Sequence, residues 1–139
     1  NKMGENVKLA LIVQKPQYKG ETSRLGITHA ISYQTVEILL EDGELVTPTL
    51  CFVGEGVLGL QKGQKAMEMY GVTSSEAHIK NALLVDLDVF ICKEDLAKYG
   101  IPEDSLPDAE EMGADKKLQV VPYSEIQKAI EDSKHVMFF

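Results

Sequence analysis

From Leu9 to Val13 the chain is apolar without a break, the end of a stretch, NVKLALIV, that opens at Asn6. Successive side chains of a strand point to opposite faces, so a strand with one wet face alternates apolar and polar residues. A run that does not alternate needs both faces covered, which is the pattern of a parallel sheet packed between helices. Further short strand-like segments lie at 47–53 (TPTLCFV), 86–92 (DLDVFIC), 118–121 (LQVV) and 135–139 (HVMFF).

Helical segments separate them. Thr22 or Ser23 can cap a helix reaching about Glu41, where Asp42-Gly43 supplies a left-handed stop. Two shorter helices are expected at 61–70 and 74–85, the second capped by Ser74 or Ser75. Another runs 93–99, stopped by Gly100 and Pro102, and a last one 124–132 follows Pro122. Residues 102–117, acidic and rich in turn formers, read as an irregular loop, a lid or a loose helical turn. Strands alternating with helices predict an α/β chain with a five-stranded, mainly parallel sheet between two helical layers.

The chain has 139 residues, 44% of them hydrophobic, which suits a single domain over 1–139. Its net charge of −8 argues against nucleic acid and anionic membrane surfaces, both of which select a basic footprint. No apolar run approaches the ~18 residues of a membrane span, and the first residues lack the apolar core of a secretion signal. A cytoplasmic protein is therefore expected, with its two cysteines, Cys51 and Cys92, as free thiols. There is no C-x-x-C and no His/Cys spacing of a metal site, so no metal is expected.

Cys92 is the candidate reactive residue. A buried cysteine is usually plain core packing. Cys92, however, ends a strand and immediately precedes a helix. Ligand crevices of open α/β sheets lie at that edge, and a helix amino terminus stabilises a thiolate. Lys93 adds a nearby positive charge, while Glu94 and Asp95 oppose ionisation if they are close. A Cys–His hydrolase would need a histidine as base. His29 and His78 fall inside helices and His135 at the wrong end of its strand, so all three read as structural or surface residues. Cys51, inside a strand, reads as a small core residue, and Asp86 and Asp88 as solvated residues at a strand start.

Gly54-Glu55-Gly56-Val57-Leu58-Gly59 matches G-x-G-x-x-G after a strand. The dinucleotide fingerprint also requires one long helix next and an acidic residue ending the following strand. Here two short helices follow and the next strand ends in Ile91-Cys92. The preferred reading is a mobile loop beside the crevice, with Gly54, Glu55, Gly56 and Val57, together with Lys93, as crevice and partner-binding residues. Val57, Leu58 and Leu60 would make it an apolar contact surface. That loop and the apolar end at 136–139 predict self-association.

The first strand with its long helix, the strand-to-glycine segment FVGEGV, the strand-cysteine-helix unit VFICKEDLAKYGI and the terminal VMFF together resemble the DsrE/DsrF-like sulfur-relay family, including its TusD type, over nearly the whole chain. The resemblance implies a flavodoxin-like α/β/α domain forming dimers, trimers or hexamers. It implies a persulfide carried on Cys92, no cofactor, and sulfur-donor and sulfur-acceptor partner proteins such as a TusA-like carrier. Lys93-Glu94-Asp95 departs from the small apolar residues usual there. Two other readings stand beside it: a non-catalytic assembly or small-ligand-binding subunit of the same fold, and a nucleotide- or flavin-binding protein using Gly54–Gly59.

Overall fold

The computed structural model describes residues 6–16, 22–35, 45–65, 68–69 and 74–139. Strands β1 (Asn6–Val13), β2 (Leu45–Phe52), β3 (Asp88–Cys92), β4 (Gln119–Val121) and β5 (His135–Phe138) form one sheet in the order β4-β3-β2-β1-β5. Every neighbouring pair is parallel. The helices are α1 (Thr22–Thr35), α2 (Ser75–Leu84), α3 (Lys93–Lys98) and α4 (Tyr123–Asp132).

The strand order decides the layers. From β1 through β4 the chain steps one strand at a time in one direction, then returns across the sheet to β5. Right-handed crossovers place helices on one face for the outward steps and on the other for the return. The buried side chains follow this division. Leu9, Leu11, Val13, Leu50, Phe52, Val89 and Ile91 pack with Ile27 and Ala30 of α1, Ile79, Ala82 and Leu83 of α2 and Leu96 of α3. Ala10, Ile12, Cys51 and Cys92, on the opposite face, pack with Ile126 of α4. Both faces of β1 are thus buried, as its unbroken apolar run requires, and each large core side chain contributes about 1.5–3 kcal/mol. The order differs from the 2-1-3-4-5 of flavodoxin itself, although the three layers are the same.

Local chemistry accounts for several boundaries. Ser74 caps α2, its hydroxyl accepting the Ala77 amide at 3.1 Å. Pro48 lies inside β2, but the pairing of β2 with β3 begins only at Thr49, so at Pro48 one side of the strand has no ladder to lose. The helix expected at 61–70 is not formed over 61–65. Gly63 turns left-handed at φ +84°, and Glu76 Oε1 accepts the amides of Gly63 and Gln64 at 3.0 and 2.9 Å. The rest of that segment is largely outside the described residues, as is the expected helix end near Glu41. Residues 102–117 contain two short 3₁₀ turns, Glu103–Ser105 and Glu110–Met112. Leu106 and Ala109 are buried in the main core, so this segment is anchored rather than a loose lid.

The glycine segment is folded too. Gly54–Gly59 is a 3₁₀ helix packed at the carboxyl end of β1. A Cβ on Gly56 would run into the Val13 carbonyl oxygen. The Gly56→Ala variant is expected to lose about 1–3 kcal/mol, from overpacking against backbone that cannot rotate away. Urea denaturation should show a lower midpoint with an unchanged slope.

Candidate functional site

The chain leaves β3 and β4 in opposite directions. After β3 it enters α3, whose Leu96 joins the core shared by α1 and α2; after β4 it enters α4 on the other face. Adjacent strands whose continuations diverge open a crevice at their carboxyl ends, where α/β sheets bind ligands. The two strands end there in register, Cys92 opposite Val121. At this edge β3 therefore ends in a buried cysteine, placed by a strand that passes into a helix with no intervening loop.

Two carboxylates close this joint. Glu94 Oε1 accepts the Tyr123 amide of α4 at 2.9 Å and lies 3.7 Å from Cys92 Sγ. Asp95 Oδ2 accepts the Gly54 amide at 2.6 Å. One first turn of α3 thus binds the continuation of β2 on one side and of β4 on the other. Both bonds satisfy backbone donors at the starts of helical segments, where they lack partners within the helix.

The thiol is covered and neutral. Cys92 is 1% exposed, packed with Ile126 and beside Val121 and Phe90. Burial pushes its pKa up from 9.0 to about 11. The backbone of Asp95 in the first turn of α3 pulls the other way, as a helix amino terminus should, although no amide there makes a capping hydrogen bond to the sulfur. The Asp95 and Glu94 carboxylates raise it again, and the Glu94 oxygen, 3.7 Å away, accepts from the thiol. The expected lowering by the helix start and Lys93 is thus outweighed by desolvation and by two negative charges; Lys93 itself is exposed. Cys51 lies on the same face of β2, opposite Phe90 rather than Cys92, and both cysteines are free. Burial alone pushes Cys51 up to about 12.

The glycine segment borders this site in a different role from the one expected. Gly54 adopts a left-handed φ of +54° and its amide is held by Asp95. The Gly56 amide donates to the Val53 carbonyl at 2.9 Å. Both amides are thereby engaged within the fold and are not directed at a phosphate. Val57 and Leu60 are 0% exposed, so the segment is not the apolar contact surface expected; Leu58 is half-buried, as is Glu55. His29 and His78 lie in α1 and α2, and His135 starts β5 at the amino end of the sheet. Among the described residues no three His, Cys, Asp or Glu side chains gather as metal ligands, and no helix is long and apolar enough to cross a membrane.

The carboxylate contacts were only partly visible in the sequence. Glu94 and Asp95 stand out as a charged pair after the cysteine, but their partners, Tyr123 and Gly54, are 29 and 41 positions away.

A raised thiol pKa means that the folded state binds this proton more tightly than the unfolded chain. Its contribution is full below about pH 9, the unfolded value, and is lost as pH rises toward the folded value of about 11. The stability advantage of the wild-type protein over Cys51→Ala/Cys92→Ala should therefore shrink across that range in urea titrations. At pH 7.5, a thiol reagent should label the native protein slowly and the denatured protein rapidly.

No family model matches the chain, and no curated protein matches its sequence. Solved structures do match in shape. The ychN protein of E. coli superposes with a TM-score of 0.74 at 16% identity, covering 96% of this chain and 99% of its own. MTH1491 of Methanobacterium thermoautotrophicum, described as of unknown function, gives 0.61 at 13% identity over 94% and 98%. BT1422 of Bacteroides thetaiotaomicron, a conserved protein also described as of unknown function, gives 0.56 at 11% over 95% and 94%. At these identities the likeness establishes the fold: a five-stranded all-parallel α/β/α sheet that the neighbours share over almost their entire length.

Proposed function

We propose that this protein is a sulfur-relay protein of DsrE/TusD type that accepts and passes on sulfane sulfur as a persulfide on Cys92. The observation that carries the proposal is the position of Cys92: the last residue of β3, at the carboxyl edge of the sheet and directly before the amino terminus of α3. A helix amino terminus favours the anionic forms of both thiol and persulfide.

The transfer needs no cofactor and no net redox change. Cys92 loses its proton to solvent, and the thiolate attacks the outer sulfur of a donor persulfide. A new S–S bond forms at Cys92, the donor S–S bond breaks, and the donor leaves as a thiolate. An acceptor thiolate then attacks the outer sulfur of Cys92–S–S⁻, and Cys92 departs as the leaving thiolate. The partners are sulfur-donor and sulfur-acceptor proteins, a TusA-like carrier among them, in the reducing cytoplasm where free thiols persist. Glu55 and the half-buried Leu58 at the crevice edge, together with Lys93, would meet such a partner.

A second reading has its own support. Cys92 is almost fully covered and its pKa is high, which suits a core residue in a non-catalytic assembly subunit of the same fold. Intact-mass analysis after incubation with a persulfide or thiosulfate donor separates the two. The sulfur-relay protein gains one or more sulfur atoms, keeps the gain in Cys51→Ser and loses it in Cys92→Ser. A mass unchanged with every donor assigns the protein to the second reading.

Both readings include self-association into a dimer, trimer or hexamer. Phe138 on the edge strand β5 is 60% exposed. Helix α4 also borders a groove of about 260 Å³, lined by Thr49, Asp88, Phe90 and Lys128 among others. Light scattering at micromolar concentration should give a mass above that of the monomer, and Phe138→Asp should lower it; a monomeric wild-type mass refutes the assembly.

A further inference from the structure

We propose that Glu94 and Asp95 are positioning residues that keep Cys92 a covered, protonated thiol at rest, and that cationic side chains of the sulfur-bearing partner release it by pairing with them. The inference rests on Cys92 being the sulfur-carrying residue.

The geometry makes one pair of carboxylates do two jobs. The oxygen of Glu94 that holds the Tyr123 amide at 2.9 Å is the one that faces Cys92 Sγ at 3.7 Å. It therefore links the thiol to the start of α4, the helix whose Ile126 packs with the thiol. Asp95 does the same on the other side, holding Gly54 at 2.6 Å. The charges acting on the sulfur are these two carboxylates. From β2 the titratable neighbour is Cys51, itself buried, and β4 and α4 contribute the apolar Val121 and Ile126. Among the described residues neither carboxylate has an ion-pair partner at the sulfur, and the two negative charges oppose both a thiolate and an anionic persulfide.

Glu94 is exposed and Asp95 half-buried, so an incoming protein can reach both. A lysine or arginine drawn to them would cancel the repulsion and compete for the oxygens that fasten Tyr123 and Gly54, uncovering the sulfur and favouring its ionisation in one step. The net charge of −8 draws a basic partner toward this protein before contact.

The test measures thiol chemistry, independently of sulfur loading. In a Cys51→Ser background, the rate of Cys92 alkylation by iodoacetamide is followed against pH for the parent, Glu94→Gln, Asp95→Asn and the double variant. Gln and Asn keep an oxygen for the Tyr123 and Gly54 amides and remove the charge. The double variant should reach half-maximal rate about one pH unit lower, roughly tenfold faster at pH 8. A lysine-rich peptide should accelerate the parent several-fold and leave the double variant unchanged. Coincident pH curves in folded parent and double variant overturn the proposal, as does a parent indifferent to the peptide. Should circular dichroism show that Asp95→Asn unfolds, Glu94→Gln carries the test alone, with a smaller shift in the same direction. A shifted curve without persulfide loading would overturn the sulfur reading and leave the carboxylate role standing; loading with unshifted curves would do the reverse.

Discussion

The rest of the structure depends on the burial of β1 on both faces. It is paired to β2 over its full length and to β5 along its second half, so nearly every backbone group of the strand is spoken for. From Leu9 onward its side chains leave no wet side: Leu9, Leu11 and Val13 go to one core, Ala10 and Ile12 to the other. A strand of this kind is stable only between two helical layers. The connections divide that labour unequally. Among the described residues, helices α1, α2 and α3 cover one face, and α4 alone crosses the other on its return to β5. The thinly covered face is the one that carries both cysteines.

The same return connection creates the site. Because β3 and β4 send the chain to opposite faces, their ends separate, and something must hold the gap. Glu94 does so by accepting an amide from α4, and Asp95 does the equivalent toward β2. A helix start offers free amides, and a carboxylate is a strong acceptor for them. The consequence falls on Cys92, which sits between two groups chosen for their negative charge. Its backbone surroundings favour an anion, whereas burial and its side-chain surroundings oppose one. A cysteine poised in this way differs from the preactivated nucleophile of a hydrolase, and its state can be altered by whatever reaches the carboxylates from outside.

What was legible in the chain follows the range of the interactions involved. The strand-cysteine-helix unit could be read directly, because Asp88–Cys92 and Lys93–Lys98 are consecutive and the hydrophobic period changes at the junction. The Ser74 cap is likewise local, a hydroxyl reaching three residues ahead. The glycine segment was misread in part, because its composition suggests openness. Gly56 is small for the opposite reason: the Val13 carbonyl leaves no room for a Cβ. The expected helix at 61–70 is absent over 61–65, where Gly63 turns left-handed and Glu76, on a later helix, holds the amides of Gly63 and Gln64 in that turn.

The sequence by itself determined the α/β class, the parallel pairing implied by unbroken apolar strands, and the place of Cys92 at the end of a strand. These depend on periodicity and on neighbours within a few residues. Tertiary structure decided the strand order, the side of the sheet on which each cysteine lies, and the protonation of Cys92. The last is set by burial under α4 and by where the carboxylates of Glu94 and Asp95 are held, and their anchors at Tyr123 and Gly54 come from other strands. Electrostatic interactions depend on distance in space, and for this thiol that distance exists only once β2, β3 and β4 are side by side.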